Sequence, residues 1–229
     1  PLSYTAIANA NQLQKLQKQM GSGAANALAP PKYWEPVKDP MQAEKFMLPE
    51  GAEKRKAVEH FLSTLPPSIK VVDVQRVQNI SMWQSYAVKR QTVLAREKDK
   101  HKASRFERVW LFHGTDEDTV PKITQQGFNR SFCGRNATMF GKGVYFARDA
   151  SYSSSRTYSR PNAQGIQHMF LCRVTVGEFC MGVKDAITPA VRQGNILHDC
   201  TVNSMSDPSI YVTYHDAQAY PEYLVRFKQ

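Results

Sequence analysis

Two aromatic rings stand at the ends of two apolar runs, with small residues beside them. Val109-Trp110-Leu111-Phe112 is a strand-like stretch that ends in His113-Gly114-Thr115. A strand ending in His-Gly sets an imidazole beside a backbone that can come very close to a ligand, because glycine has no Cβ. A short helical pattern follows, with Val120, Ile123 and Thr124 on one face and Gly127 placed to stop it. After a polar, glycine-containing loop, Gly141-Lys142-Gly143 leads into a second apolar run, Val144-Tyr145-Phe146-Ala147. Two strand ends therefore each present one ring, His113 and Tyr145, across a long loop. Such an arrangement suits gripping and orienting a ligand. It is not a dinucleotide phosphate loop, since no GxGxxG follows a strand and Gly-Lys-Gly is not one.

The order of these pieces carries a resemblance. His113-Gly114-Thr115, then Gly127-Phe128-Asn129-Arg130-Ser131, then Phe140-Gly141-Lys142-Gly143-Val144-Tyr145-Phe146-Ala147 resembles the catalytic domain of the poly(ADP-ribose) polymerase superfamily. These are the diphtheria-toxin-like ADP-ribosyltransferases, which use NAD+ as substrate. The likeness continues through Ala150-Ser151-Tyr152-Ser153, Tyr158 and Pro208 to Phe227, covers roughly residues 30 to 229, and is closest to the short mono-ADP-ribosylating members. Singly, a His and a Tyr read as satisfied, semi-buried rings; the joint spacing with Gly114, Ser153 and Tyr158 favours a site. By resemblance, His113 would hydrogen-bond ribose hydroxyls on the adenosine or nicotinamide side, and the Gly114 backbone would pair with the nicotinamide amide. Tyr158 would stack on the nicotinamide ring, Tyr145 would pack against its other face, and Ser153 would bond the amide. The loop from Phe128 to Phe140 would line the adenosine side, with Arg130 or Arg135 near phosphate or adenine.

The reaction so implied is cleavage of the nicotinamide–ribose bond through an oxocarbenium-like transition state, as in other glycosidic cleavages. Nicotinamide leaves as a neutral molecule, so the protein must chiefly hold the dinucleotide bent and admit a nucleophile on the open face. In polymerising relatives a Glu begins the penultimate strand. Counting back from Asp216-Ala217-Gln218, this chain has Ile210 there, within Pro208-Ser209-Ile210-Tyr211-Val212. A carboxylate can polarise the ribose hydroxyl to be extended and Ile cannot, so the combination His113, Tyr145, Ile210 implies transfer of a single ADP-ribose. The expected acceptors are protein side chains, acidic ones by weak preference and the chain itself among them, with the acceptor's own carboxylate assisting the attack. Two rivals stand beside this reading: a pseudoenzyme or scaffold that binds NAD+ or ADP-ribose without turnover, and transfer to a terminal phosphate of RNA. One departure is His198-Asp199-Cys200, where relatives often carry Tyr-Asp-Ser; it reads either as altered packing beside the cleft or as a surface loop variant.

The elements that must position these residues are short. Glu53 to Leu65 and residues 75–97 read as amphipathic helices, the second with Val77, Ile80, Trp83, Ala87 and Leu94 on one stripe, which is core rather than a cofactor box. Ile69 to Val74 reads as a strand. Asp149 is placed to cap a helix over Ala150 to Arg156. In His168 to Val176, Met169, Leu171, Arg173 and Thr175 face one way and Phe170, Cys172, Val174 and Val176 the other. Residues 181–207 read as irregular, and Ile210 to Tyr214 and Tyr220 to Phe227 as closing strands. Short strands with the helices mostly in the first half make an α+β domain. The resemblance implies two antiparallel sheets split around an NAD+ cleft. Residues 1–30 are Ala-, Asn- and Gln-rich, with Leu13, Leu16 and Met20 at helical spacing, and read as a leader or linker before a domain over 31–229, with Trp34 as an apolar anchor at its entry.

Composition sets the bounds. With 229 residues and 41 % hydrophobic content the chain can bury one sizeable core. It starts at Pro1, which reads as a fragment. No apolar run approaches the ~18 residues of a membrane span and no signal peptide is visible, so no membrane partner is expected. The net charge of +10 is uneven: residues 1–108 hold 18 Lys/Arg against 10 Asp/Glu, and residues 109–229 hold 12 against 10. The excess peaks in Lys89 to Arg108, which permits nucleic acid as a partner without requiring it and equally suits a solvated helix face with a charged loop. Cys133, Cys172, Cys180 and Cys200 have no CxxC spacing and no nearby paired His, which argues against zinc or any other metal site. They read as reduced thiols of an intracellular domain, cytoplasmic or nuclear. On that reading the N-x-[ST] triplets at Asn79, Asn129 and Asn136 are chance matches.

Overall fold

A computed structural model of the chain describes residues 28–97, 99–132 and 138–229. The chain divides into two compact units, Pro1–Trp34 and Glu35–Gln229. Of the first, the described part is a turn in which the Trp34 N–H donates to the Pro31 carbonyl at 3.0 Å. The helical spacing over Leu13, Leu16 and Met20 lies outside the described residues, as do Cys133, Arg135 and Asn136.

The second unit opens with strand β1 (Glu44–Met47), helix α1 (Ala52–Leu62), strand β2 (Lys70–Gln78), helix α2 (Ile80–Leu94) and the short α3 (Lys100–Ala103). Strand β3 (Glu107–Thr115), α4 (Val120–Gln126), β4 (Val144–Ala147), α5 (Ala150–Ser153) and β5 (Gln167–Thr175) follow. The chain closes with β6 (Phe179–Met181), β7 (Val191–Gln193), β8 (Ile196–Leu197), β9 (Cys200–Val202), β10 (Ile210–Thr213) and β11 (Ala219–Lys228). Nine strands pair in the order β1-β2-β11-β5-β3-β4-β10-β9-β6, and β7 and β8 form a separate hairpin. Neighbours run antiparallel except β6 and β9, which are parallel.

The sheet consists of two well-paired halves that barely meet. Strand β3 pairs with β5 from Glu107↔Thr175 to Thr115↔His168, yet with β4 it shares the single pair Phe112↔Ala147. Past that pair β3 and β4 diverge. This is the split α+β architecture that the sequence implied.

Strand β5 lies inside the sheet between β11 and β3, buried on both faces, and its alternation serves two cores. Met169 and Leu171 pack with Phe61, Phe112 and Phe227. Phe170, Cys172 and Val174 pack with Leu111, Phe128 and Phe146. Each such side chain removed from water contributes about 1.5–3 kcal/mol, so β5 anchors the strand that carries His113.

Local readings shift where tertiary pairing overrides periodicity. Residues 75–78 belong to β2, paired between β1 and β11, and the second helix begins only at Ile80. Asn79 is its cap: the side chain accepts the Met82 N–H at 3.0 Å and is itself buried, which leaves no room for a glycan. The helix over Ala150 to Arg156 ends at Ser153, and the Asp149 carboxylate does not cap its start, being bonded to the Arg148 guanidinium instead of the helix amides. The stretch 181–207, read as irregular, contains β7, β8 and β9.

Three cations of the basic segment are absorbed by the fold. Arg90 pairs with Glu107 at 2.7 Å, Arg96 with Asp199 at 2.6 Å, and the Arg108 guanidinium lies 5.9 Å from the Tyr211 ring centroid. Cys172 and Cys200 are buried and burial pushes both thiols up; Cys180 is half-buried. Among the described residues no helix is long and apolar enough to cross a membrane, and no group of three His, Cys, Asp or Glu is placed to hold a metal.

Candidate active site

Placement of His113 begins three residues earlier. Strand β3 carries a bulge at Trp110, whose φ is 66°, between the pairs Val109↔Arg173 and Leu111↔Cys172. Side-chain contacts hold the bulge: the indole Nε1 donates to Glu222 at 2.6 Å, and the Trp110 carbonyl lies 2.8 Å from His60 Nε2. Beyond it Leu111 faces the Phe128–Phe146 core, and His113 lies against the same two rings, with centroids at 4.9 and 5.5 Å.

His113 Nδ1 sits 2.9 Å from the Tyr145 carbonyl oxygen. A carbonyl only accepts, so Nδ1 carries the proton. Burial lowers the proton affinity of the ring below the ordinary histidine value, and the Tyr145 bond opposes this more weakly. The neutral imidazole therefore keeps Nε2 as an acceptor, ready for a hydroxyl group.

Where β3 and β4 part, a cavity of about 590 Å³ opens, lined by His113, Gly114, Tyr145, Ser153 and Tyr158. Five residues singled out by sequence thus converge on one site. Gly114 is required there by the protein itself: a Cβ would stand 2.3 Å from the Ser153 carbonyl oxygen and 3.2 Å from Tyr158 Cβ. Ser153 is buried and its hydroxyl donates to the Phe112 carbonyl at 3.2 Å. The Tyr145 hydroxyl accepts the Phe140 N–H at 3.0 Å and donates to the Gly141 carbonyl at 2.9 Å, which fixes its ring.

Other placements differ from the expectation. Arg130 does not line this cavity; its guanidinium donates to the Tyr214 carbonyl at 3.4 Å and to that of Ile187, and packs over the Tyr214 ring. Ile210, the first residue of β10, is buried and pairs with Ala147 of β4, on the same apolar patch as Tyr145. His198 also lies away from the cavity, with Nδ1 3.0 Å from the Ala190 carbonyl oxygen.

Asn129, from the loop expected to line the adenosine side, does line the cavity, whereas the sequence reading gave no role to Tyr152, Lys122 and Arg160, which line it too. Tyr152 stacks on Tyr158 with centroids 4.9 Å apart and planes at 24°, and the two hydroxyls are 2.7 Å apart. Burial and the Tyr158 hydroxyl raise the Tyr152 phenol well above its ordinary range. The spacing Tyr152 to Tyr158 over a tight turn was the available signal.

Comparison with known proteins decides the family. The model for the poly(ADP-ribose) polymerase catalytic domain matches residues 52–195. The chain belongs to that family. It is similar to human protein mono-ADP-ribosyltransferase PARP14, 35 % identical over 202 residues, which are 87 % of this chain and 11 % of that protein. Mouse protein mono-ADP-ribosyltransferase PARP12 is 36 % identical over 200 residues, 86 % of this chain and 27 % of its own length. Mouse protein mono-ADP-ribosyltransferase PARP10 is 36 % identical over 197 residues, 84 % of this chain and 20 % of its own length. This poly(ADP-ribose) polymerase domain thus spans about a tenth to a quarter of the length of these relatives.

Proposed function

We propose that the chain binds NAD+ in the cavity between β3 and β4 and transfers one ADP-ribose to protein side chains, with release of nicotinamide. The observation that carries this reading is the convergence of His113, Gly114, Tyr145, Ser153 and Tyr158 on one open cavity. The names of the relatives, all protein mono-ADP-ribosyltransferases, point the same way.

In this reading nicotinamide enters between the Tyr158 and Tyr145 rings, with its amide on the Gly114 backbone and the Ser153 hydroxyl. Nε2 of neutral His113 accepts a ribose hydroxyl. The glycosidic C–N bond breaks with its electron pair going to the pyridinium nitrogen, and an acceptor oxygen adds to the ribose carbon; a carboxylate acceptor arrives already ionised, and a hydroxyl acceptor releases its proton to water. The chain contributes positioning and water exclusion, worth several kcal/mol of the barrier. Ile210 offers no carboxylate to activate a second ribose hydroxyl, so transfer ends after one unit. A cavity that is open and still carries His113 favours turnover over a purely binding role.

Incubation with labelled NAD+ tests the proposal. Label incorporated into protein together with stoichiometric nicotinamide release is the expected result; NAD+ binding with neither would replace it by the non-catalytic reading.

A further inference from the structure

Beside the substrate cavity lies a second one, of about 530 Å³, walled by Arg130, Lys142, Tyr214, His215 and Asp216. Both cavities share Asn129, so a group held in the second adjoins the first. The charges in it are unevenly balanced. The Arg130 guanidinium is oriented by two carbonyl oxygens and the Tyr214 ring, none of which neutralises it. Asp216 accepts the backbone N–H of Arg130 at 3.2 Å and makes no ion pair with the guanidinium among the described residues. Lys142 is anchored by its backbone N–H, 2.7 Å from the Ala186 carbonyl oxygen, while its exposed ammonium has no ion-pair partner among the described residues. His215 is kept from protonating by burial and by the nearby cations Lys89 and Arg130, so it adds no charge at neutral pH.

We propose that this second cavity is a docking subsite for an acidic segment of the acceptor polypeptide, with one carboxylate held between Arg130 and Lys142. Two cations and one carboxylate leave a net single positive charge, which matches a monoanion. A phosphomonoester carries about −1.5 to −2 at neutral pH and would face Asp216 with up to half of that charge uncompensated. The substrate cavity and its neighbour then divide the work, one for the dinucleotide and one for the acceptor flank. This inference rests on the proposed transferase reading.

The test uses the full chain and three fluorescent peptides of alternating Ala and Glu, Gln or phosphoserine, with binding read by anisotropy at two salt concentrations. The Glu peptide should bind, weaken with salt, lose about tenfold in affinity in Lys142→Glu and regain it in Lys142→Arg, while the Gln peptide binds at least tenfold more weakly. Equal affinity of wild type and Lys142→Glu for the Glu peptide overturns the proposal. So does tighter binding of the phosphoserine peptide, or a rise in the KM for NAD+ when Glu peptide is added, which would place the peptide in the substrate cavity. Nicotinamide release from NAD+ is followed on the same preparations. Its absence with peptide binding intact would count against the transferase reading alone.

Discussion

His113 and Tyr145 are joined by a hydrogen bond where the strands that carry them no longer pair: Nδ1 stands 2.9 Å from the Tyr145 carbonyl oxygen, one residue past the last β3–β4 pair, Phe112↔Ala147. A side chain thus takes over the cross-strand contact at the point where the sheet opens, and the same bond fixes the tautomer that leaves Nε2 free to accept. The cleft and its histidine are consequences of one local geometry.

That geometry sets a pH dependence. Burial lowers the His113 ionisation below 6.5, so more than half of the rings are neutral at pH 6.5 and the midpoint of charging lies under more acidic conditions. ADP-ribose transfer is expected to fall to half only below pH 6.5; a profile that halves at 6.5 or above would contradict the assignment. The sign for stability follows: the unfolded chain takes up the proton first, so His113 costs nothing above 6.5 and removes stability as pH falls beneath it. His113→Ala should lower transfer by roughly two orders of magnitude without changing the pH-7 melting temperature by more than a few degrees.

Gly114 tolerates no side chain. Because a Cβ would stand 2.3 Å from the Ser153 backbone oxygen, Gly114→Ala must push β3 and α5 apart. A loss of about 1–3 kcal/mol in denaturant unfolding is expected, with a larger loss in NAD+ affinity by calorimetry. Wild-type stability in this variant would mean that the two backbones are not in contact.

Tyr152 serves as a brace for Tyr158. With the rings stacked and the hydroxyls 2.7 Å apart, Tyr152→Phe keeps the wall and loses one bond, whereas Tyr152→Ala loses both. The KM for NAD+ should rise modestly, about two- to fivefold, in the Phe variant and more than tenfold in the Ala variant; aromatic pairs of this kind contribute about 0.5–1.5 kcal/mol beyond burial. Equal KM values in both variants would remove the brace from the account.

Under the site, Glu222 is 1 % exposed and binds both Arg173, at 3.0 Å, and the Trp110 indole. Glu222→Ala leaves the half-buried Arg173 its ion pair with Glu107, at 3.8 Å, and releases the β3 bulge, so about 1–3 kcal/mol of stability should be lost. Urea unfolding measures this, and a change under 1 kcal/mol would show that the bulge is held by other contacts.

How much of this was legible in the residues depends on whether the signal was local. The alternation of Phe170, Cys172 and Val174 against Met169 and Leu171 marks β5 because each face meets its own core. Gly127 stops α4 with φ 78°, a value that favours glycine. The start of α2 was misplaced because Val77 continues the helical stripe, although residues 70–78 are held as a strand by β1 and β11 on either side. Strand β1 went unseen since Glu44-Lys45-Phe46-Met47 is four residues long with none of them buried, too short a run to show an alternation in sequence. Arg130 shows the limit most clearly: its type and its loop suggested the dinucleotide, and only the fold reveals that the Tyr214 and Ile187 carbonyls turn its guanidinium toward the neighbouring cavity. Lys122 and Arg160 lie on separate elements and meet at the cavity through the topology alone.

Mass spectrometry of the protein and an acceptor polypeptide after incubation with NAD+ tests the central claim most directly, because it reports transfer, adduct number and attachment site together. The account predicts adducts of one ADP-ribose per modified residue, lost in His113→Ala and extended into longer chains, if anywhere, only in Ile210→Glu. Adducts of several linked units on the wild type, or undiminished transfer by His113→Ala, would contradict it.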